Sequence, residues 1–120
     1  TLGEIQAAVR AAIASFEQEY MGRGPKNVHT HLIGDLLLIR LQGVLTSAEQ
    51  HLVRTLPPEK GRDLLKEVRT QLIEAARPNL DAILQEIIGQ SPISLHHDIR
   101  TVSGEEIVVF VFSHPPAVRE

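Results

Sequence analysis

The segment HTHLIGDLLLIRL, residues 29–41, decides the fold. Its centre, Gly34-Asp35, is a two-residue loop signal, because a glycine at the first loop position suits the tight turns that match the twist of paired strands. With those two residues as the whole loop, Ile33 pairs with Leu36, and the pairs Leu32/Leu37, Thr30/Ile39 and Val28/Leu41 share one face, the expected core side. The opposite face carries His31 across from Leu38 and His29 across from Arg40. This alternation favours an antiparallel hairpin over the continuously apolar strands of a parallel sheet.

Working outward, Ile5, Val9, Ile13, Phe16 and Tyr20 recur at steps of three and four, which predicts a helix over residues 2–21. Gly22 ends it and Gly24-Pro25 prevents it from resuming. Beyond the hairpin, Thr46 and Glu49 form a capping-box signature for a helix of about two turns. Pro57-Pro58 interrupts that helix. A second helical pattern then runs to Gly89 with Leu65, Val68, Leu72, Ala76, Leu80, Ile83 and Ile87 facing inward. From residue 61 it would be roughly 43 Å long if straight, against about 35 Å for the diameter of a compact chain of this length. It must therefore protrude or bend, most readily at Pro78, which lacks the N–H that would bond the Glu74 carbonyl.

A second hairpin, with strands near residues 93–102 and 105–113 around Ser103-Gly104, closes the pattern. Ile93, Leu95, His97, Ile99, Val108, Phe110 and Phe112 fall on its inner face. Ser94, His96, Asp98, Arg100, Ile107, Val109 and Val111 fall on the outer one. The order is αββ-αββ, and the expected class is α+β: a four-stranded antiparallel sheet with helices mainly on one face.

At 120 residues the chain has the commonest domain size and is expected to form one domain over residues 1–120. Its apolar runs, Leu36–Ile39 and Ile107–Phe112 at the longest, are far short of the roughly 20 residues of a spanning helix. Direct membrane insertion is not expected, and the opening residues show no signal-peptide pattern. The absence of cysteine excludes disulfides, thiolate nucleophiles and Cys-ligated zinc. Cytoplasm is the expected compartment. The net charge of −3 and the assignment of most of Phe16, Tyr20, Phe110 and Phe112 to the core argue against nucleic-acid binding.

Several constellations carry possible chemistry. His29, His31, His96 and Asp98 all lie on outer strand faces and offer imidazole and carboxylate ligands, yet they lack a defined four-ligand spacing, so no metal is expected. Arg23 and Lys26, in the segment Gly22-Arg23-Gly24-Pro25-Lys26, could hold an anion, although the segment follows a helix where the dipole opposes one. Arg40, Arg69 and Arg100 are candidate carboxylate or phosphate forks, with ion pairing to nearby acids as the plainer reading. Arg23, Lys26, Arg40 and Arg100 thus form the candidate ligand-binding set. The serines sit in no nucleophile elbow, and Glu105-Glu106 lies beside a turn where a raised pKa is not expected. No enzyme activity and no cofactor is expected; metal-dependent hydrolysis rests on the histidines alone. The stronger lead is the outer sheet face, where Ile33, Leu36, Leu38, Ile107, Val109 and Val111 would form an apolar surface for a homodimer or a protein partner.

These residues also carry a family resemblance. Gly22-Arg23-Gly24-Pro25, the run Gly34-Asp35-Leu36-Leu37-Leu38 leading to Gly43-Val44-Leu45-Thr46-Ser47-Ala48-Glu49, Arg69, and the Asp98 strand with Val109-Phe110-Val111-Phe112 resemble the MpsC-like family of small bacterial proteins. The resemblance covers nearly the whole chain. It implies a soluble, non-catalytic accessory or regulatory component associated with cation or inorganic-carbon transport. Such a component would reach the cytoplasmic membrane through a membrane transport protein partner. A small-anion sensor is the alternative role.

Overall fold

The computed structural model describes residues 1–118. Its elements run α1 (Leu2–Tyr20), β1 (Asn27–Ile33), β2 (Leu36–Gln42), α2 (Ser47–Thr55), α3 (Pro58–Ile88), β3 (Ser94–Arg100) and β4 (Glu105–Val111). The fold is α+β in the expected αββ-αββ order. All strand pairs are antiparallel, in the order β1-β2-β4-β3.

The first hairpin has the register expected from its sequence, from Ile33↔Leu36 to Asn27↔Gln42. Of its two loop residues only Gly34 has positive φ, +59°, which is the conformation a type II′ turn requires at its first central position. The second hairpin differs in its loop. Its last pair is Arg100↔Glu105, so four residues, Thr101 to Gly104, make the connection. The loop is held by the chain beside it: Val44 N–H donates to Gly104 O at 3.2 Å, and Thr101 turns inward and is buried. Because the slip from the expected pairing is even, every strand residue keeps its face. Ile93 does not join the core. It precedes β3, beyond the helical cover, and is 64% exposed.

The core lies between the inner sheet face and helices α1 and α3. It joins Val9, Ile13 and Phe16 to Leu32, Leu37, Ile39 and Leu41, and to Leu65, Leu80, Leu84, Val108, Phe110 and Phe112. Gln6 fixes α1 to the edge strand: its backbone carbonyl accepts from Thr30 Oγ1 at 2.7 Å, and its side-chain oxygen accepts from Leu32 N–H at 2.9 Å.

Helix α2 begins with the expected capping box: Thr46 Oγ1 accepts from Glu49 N–H, and Glu49 Oε1 accepts from Thr46 N–H. Thr46→Ala is expected to cost about 1 kcal/mol, read as a lower urea midpoint with an unchanged slope. Helix α3 starts at Pro58, where a missing N–H costs nothing, and continues through Pro78 to Ile88. Its 31 residues span about 46 Å, so it lies along the long axis of a molecule measuring 49 × 24 × 22 Å. Elongation, rather than a break at Pro78, resolves the length mismatch.

The buried line of α3 differs from the expected stripe. It runs Gly61, Leu65, Arg69, Ile73, Ala76, Leu80 and Leu84, while Val68 is 40% exposed and Leu72, Ile83 and Ile87 are only partly buried. The cause is Arg69, a charged residue in the centre of the buried line.

Candidate functional site

The outer sheet face is built by strand alternation alone. Registers place Ile33, Leu36, Val111 and Ser94 in one row across the four strands, and His31, Leu38, Val109 and His96 in the next. The third row is His29, Arg40, Ile107 and Asp98. The six candidate interface residues are therefore contiguous. Ile33 and Leu36 are exposed, and Leu38, Ile107, Val109 and Val111 are half-buried by their neighbours alone. The apolar centre belongs to the middle strands β2 and β4, with a polar margin mainly on the edges.

That same order separates the histidines. His29 and His31 lie on β1 and His96 and Asp98 on β3, the two opposite edges, three strand spacings or about 14 Å apart. Among the described residues no three His, Asp or Glu side chains come together as a metal site. Asp98 instead accepts from Lys66 Nζ at 2.9 Å. That bond holds its carboxyl below the usual range against a small desolvation effect, with help from the Ile99 N–H.

The three candidate arginine forks do not converge. Arg40 pairs with Glu105 at 2.7 Å on the outer face, and Arg100 is exposed on the β3 edge. Arg69 lies in the core, 1% exposed. One of its Nη nitrogens donates to Glu106 Oε1 at 2.7 Å and to Glu17 Oε1 at 3.0 Å, and its Nε donates to Glu106 Oε2 at 3.3 Å. This triad ties α3 to β4 and α1. Nearby, His97 Nδ1 lies 3.8 Å from Glu106 Oε2.

One guanidinium serves two buried carboxylates, and the imbalance is visible in the protonation of Glu17. Burial pushes the Glu17 carboxyl up from its usual 4.5 to about 7. Arg69 opposes that rise and the charge of Glu106 adds to it. For Arg69, burial works against the charge, but Glu106 and then Glu17 outweigh it and hold the guanidinium above its ordinary range. A cavity of only about 20 Å³ adjoins the triad, too small for a substrate.

A larger cleft lies at the end of the sheet, between the segment after α1, helix α2 and the β3–β4 loop. It encloses about 340 Å³ and brings Arg23 and Lys26 together with Arg54. Half of the candidate ligand set thus meets in one place, while Arg40 and Arg100 lie outside it. Sequence reasoning missed Arg54, whose only local signal is a position in the last turn of α2, missed Glu17 altogether, and places Glu106 in a solvated pair beside a turn where the structure buries it.

A family model described as the Na+-translocating membrane potential-generating system (MpsC) matches residues 1–114. The uncharacterized protein YbcI of Bacillus subtilis (strain 168) is 31% identical over 108 residues, covering 90% of this chain and 85% of the relative. The uncharacterized protein YrhF of the same organism is 31% identical over 101 residues, covering 83% of this chain and 80% of the relative. No solved structure matches.

Proposed function

The chain belongs to the MpsC family, and from that premise we propose that it is a non-catalytic accessory subunit of a Na+-translocating, membrane-potential-generating system, working as a homodimer joined through its outer sheet face. The observation that carries this reading is the uncovered apolar surface formed by Ile33, Leu36, Leu38, Ile107, Val109 and Val111. Such a surface, on the order of a few hundred Å², favours association over exposure to water. Its layout is that of an interface, with an apolar centre and a polar rim.

A second copy is the partner that best fits this layout. A two-fold axis near the Leu38–Val109 row returns the patch onto itself, the isologous geometry of most homodimers. The rim carries both signs, Arg40 beside Glu105, so the face can meet its own image without like-charge repulsion. The non-catalytic role is supported by the triad, whose ionisable side chains are consumed by mutual pairing in the interior. Among the described residues no helix is long and apolar enough to cross a membrane. A cytoplasmic subunit contacting a membrane protein partner is accordingly the role we assign.

Light scattering on the wild-type chain is expected to return twice the 13.3 kDa chain mass. Leu38→Glu or Val109→Glu places an unpaired carboxylate at the centre of the interface and should weaken the dimer by at least about 2 kcal/mol, or thirtyfold. Circular dichroism would verify that the variants still fold. A wild-type chain that stays at 13.3 kDa over the full concentration range would overturn the dimer.

A further inference from the structure

We infer that the cleft at the end of the sheet binds a phosphoryl-bearing ligand, with Arg23, Lys26 and Arg54 holding the phosphoryl group and Leu45, Val53 and Val102 lining the space for its organic body. Among the residues that line this cleft none is acidic. Three cations gathered without a counter-charge, on a chain whose net charge is −3, repel one another and lower stability until an anion joins them.

The donors are aimed in advance. Arg23 Nε donates to Gly43 O at 2.9 Å, and Arg54 Nε donates to Gln50 O at 3.3 Å. Each bond fixes a guanidinium plane while leaving its terminal nitrogens without a salt bridge among the described residues. Lys26 lies along Gly43, whose φ is +70°; a Cβ at that glycine would come within 2.8 Å of the lysine stem. The close approach holds the lysine side chain against the cleft. A volume of about 340 Å³ falls in the range of small-ligand sites and suits a mononucleotide or a phospholipid head group, two sources of the same chemistry.

The test uses the full chain with two probes, ADP by calorimetry and phosphatidylglycerol vesicles by co-sedimentation, with phosphatidylcholine vesicles as the neutral control. Saturable binding in either arm is expected, weakened at least about tenfold by Lys26→Ala/Arg54→Ala and unchanged by Arg10→Ala, an exposed residue of α1 that does not line the cleft. Both substituted side chains in the double variant are exposed and their mutual repulsion is removed, so it should melt no lower than the wild type. A response to ADP assigns a soluble ligand, and a response to phosphatidylglycerol alone assigns a lipid head group. Absence of binding in both arms, or binding that the double variant leaves intact, overturns the proposal.

Discussion

Arg69→Ala is expected to destabilise the fold by about 3 to 5 kcal/mol, the usual consequence of stripping one partner from a buried ion cluster. Glu106 is as buried as Arg69, and Glu17 only slightly less so. Without the guanidinium, both carboxylates would have to be protonated, or hydrated by local unfolding where α1, α3 and β4 meet. Domains of this size have about 5 to 15 kcal/mol to lose, so much of the variant should be unfolded at modest urea. Equilibrium denaturation with an unchanged slope would measure the loss. Arg69→Lys keeps the charge and loses the planar fork, and should fall between alanine and wild type. Replacing Glu17, Arg69 and Glu106 together by apolar residues of similar volume should recover most of the stability, because desolvated charges are then absent altogether. A loss below 1 kcal/mol for Arg69→Ala would mean that the triad contributes little to the fold.

Glu17→Gln is expected to stabilise the protein above pH 7 by up to about 3 kcal/mol and to leave it unchanged below pH 4.5. In the folded chain Glu17 keeps its proton up to about pH 7, whereas the unfolded chain releases it near 4.5. Between those values the folded state binds more protons, so a rising pH favours unfolding and wild-type stability falls across that window. Above it the penalty is constant. Glutamine is neutral at every pH and still offers a side-chain oxygen to the Arg69 Nη, so its stability should lack this slope. Urea midpoints of both proteins from pH 4 to 9 would show curves that separate between about 4.5 and 7 and then run parallel. Curves parallel throughout would exclude Glu17 as the titrating group.

The fold was legible wherever one residue type answered to one environment. Gly34-Asp35 set the turn, alternation set the faces, and Thr46 with Glu49 set the start of α2. Legibility failed at charged residues placed inside. Leu65, Arg69 and Ile73 form a line at steps of four, as do Val9, Ile13 and Glu17, and Glu106 shares the parity of Val108 and Phe110. Each position reads as inward by spacing and outward by polarity. Polarity favours the outward assignment, which puts Val68 and Leu72 in the expected α3 stripe in place of Arg69 and Ile73, although Leu65, Ala76 and Leu80 are buried as expected, and makes Glu105-Glu106 a solvated pair. The three positions explain one another only when taken together, since a buried guanidinium needs acceptors and a buried carboxylate needs a donor. The apolar outer face was recoverable from sequence because it depends on parity. The cationic cleft was not, because Arg54 meets Arg23 and Lys26 only through the tertiary placement of α2, which no local pattern encodes.

The strand order also bears on how the protein behaves when concentrated. β1 and β3 are the two edges, and a dimer formed face to face leaves both with unpaired backbone groups, a template on which further chains could polymerise by strand addition. Their outward side chains are Asn27, His29, His31, Ser94, His96, Asp98 and Arg100, with Ile33 the one apolar exception; the polar ones are hydrated groups that a neighbouring strand would have to crowd or strip of water. Hydrated side chains along both edges disfavour strand addition, the placement of gatekeeper residues against fibrous self-assembly.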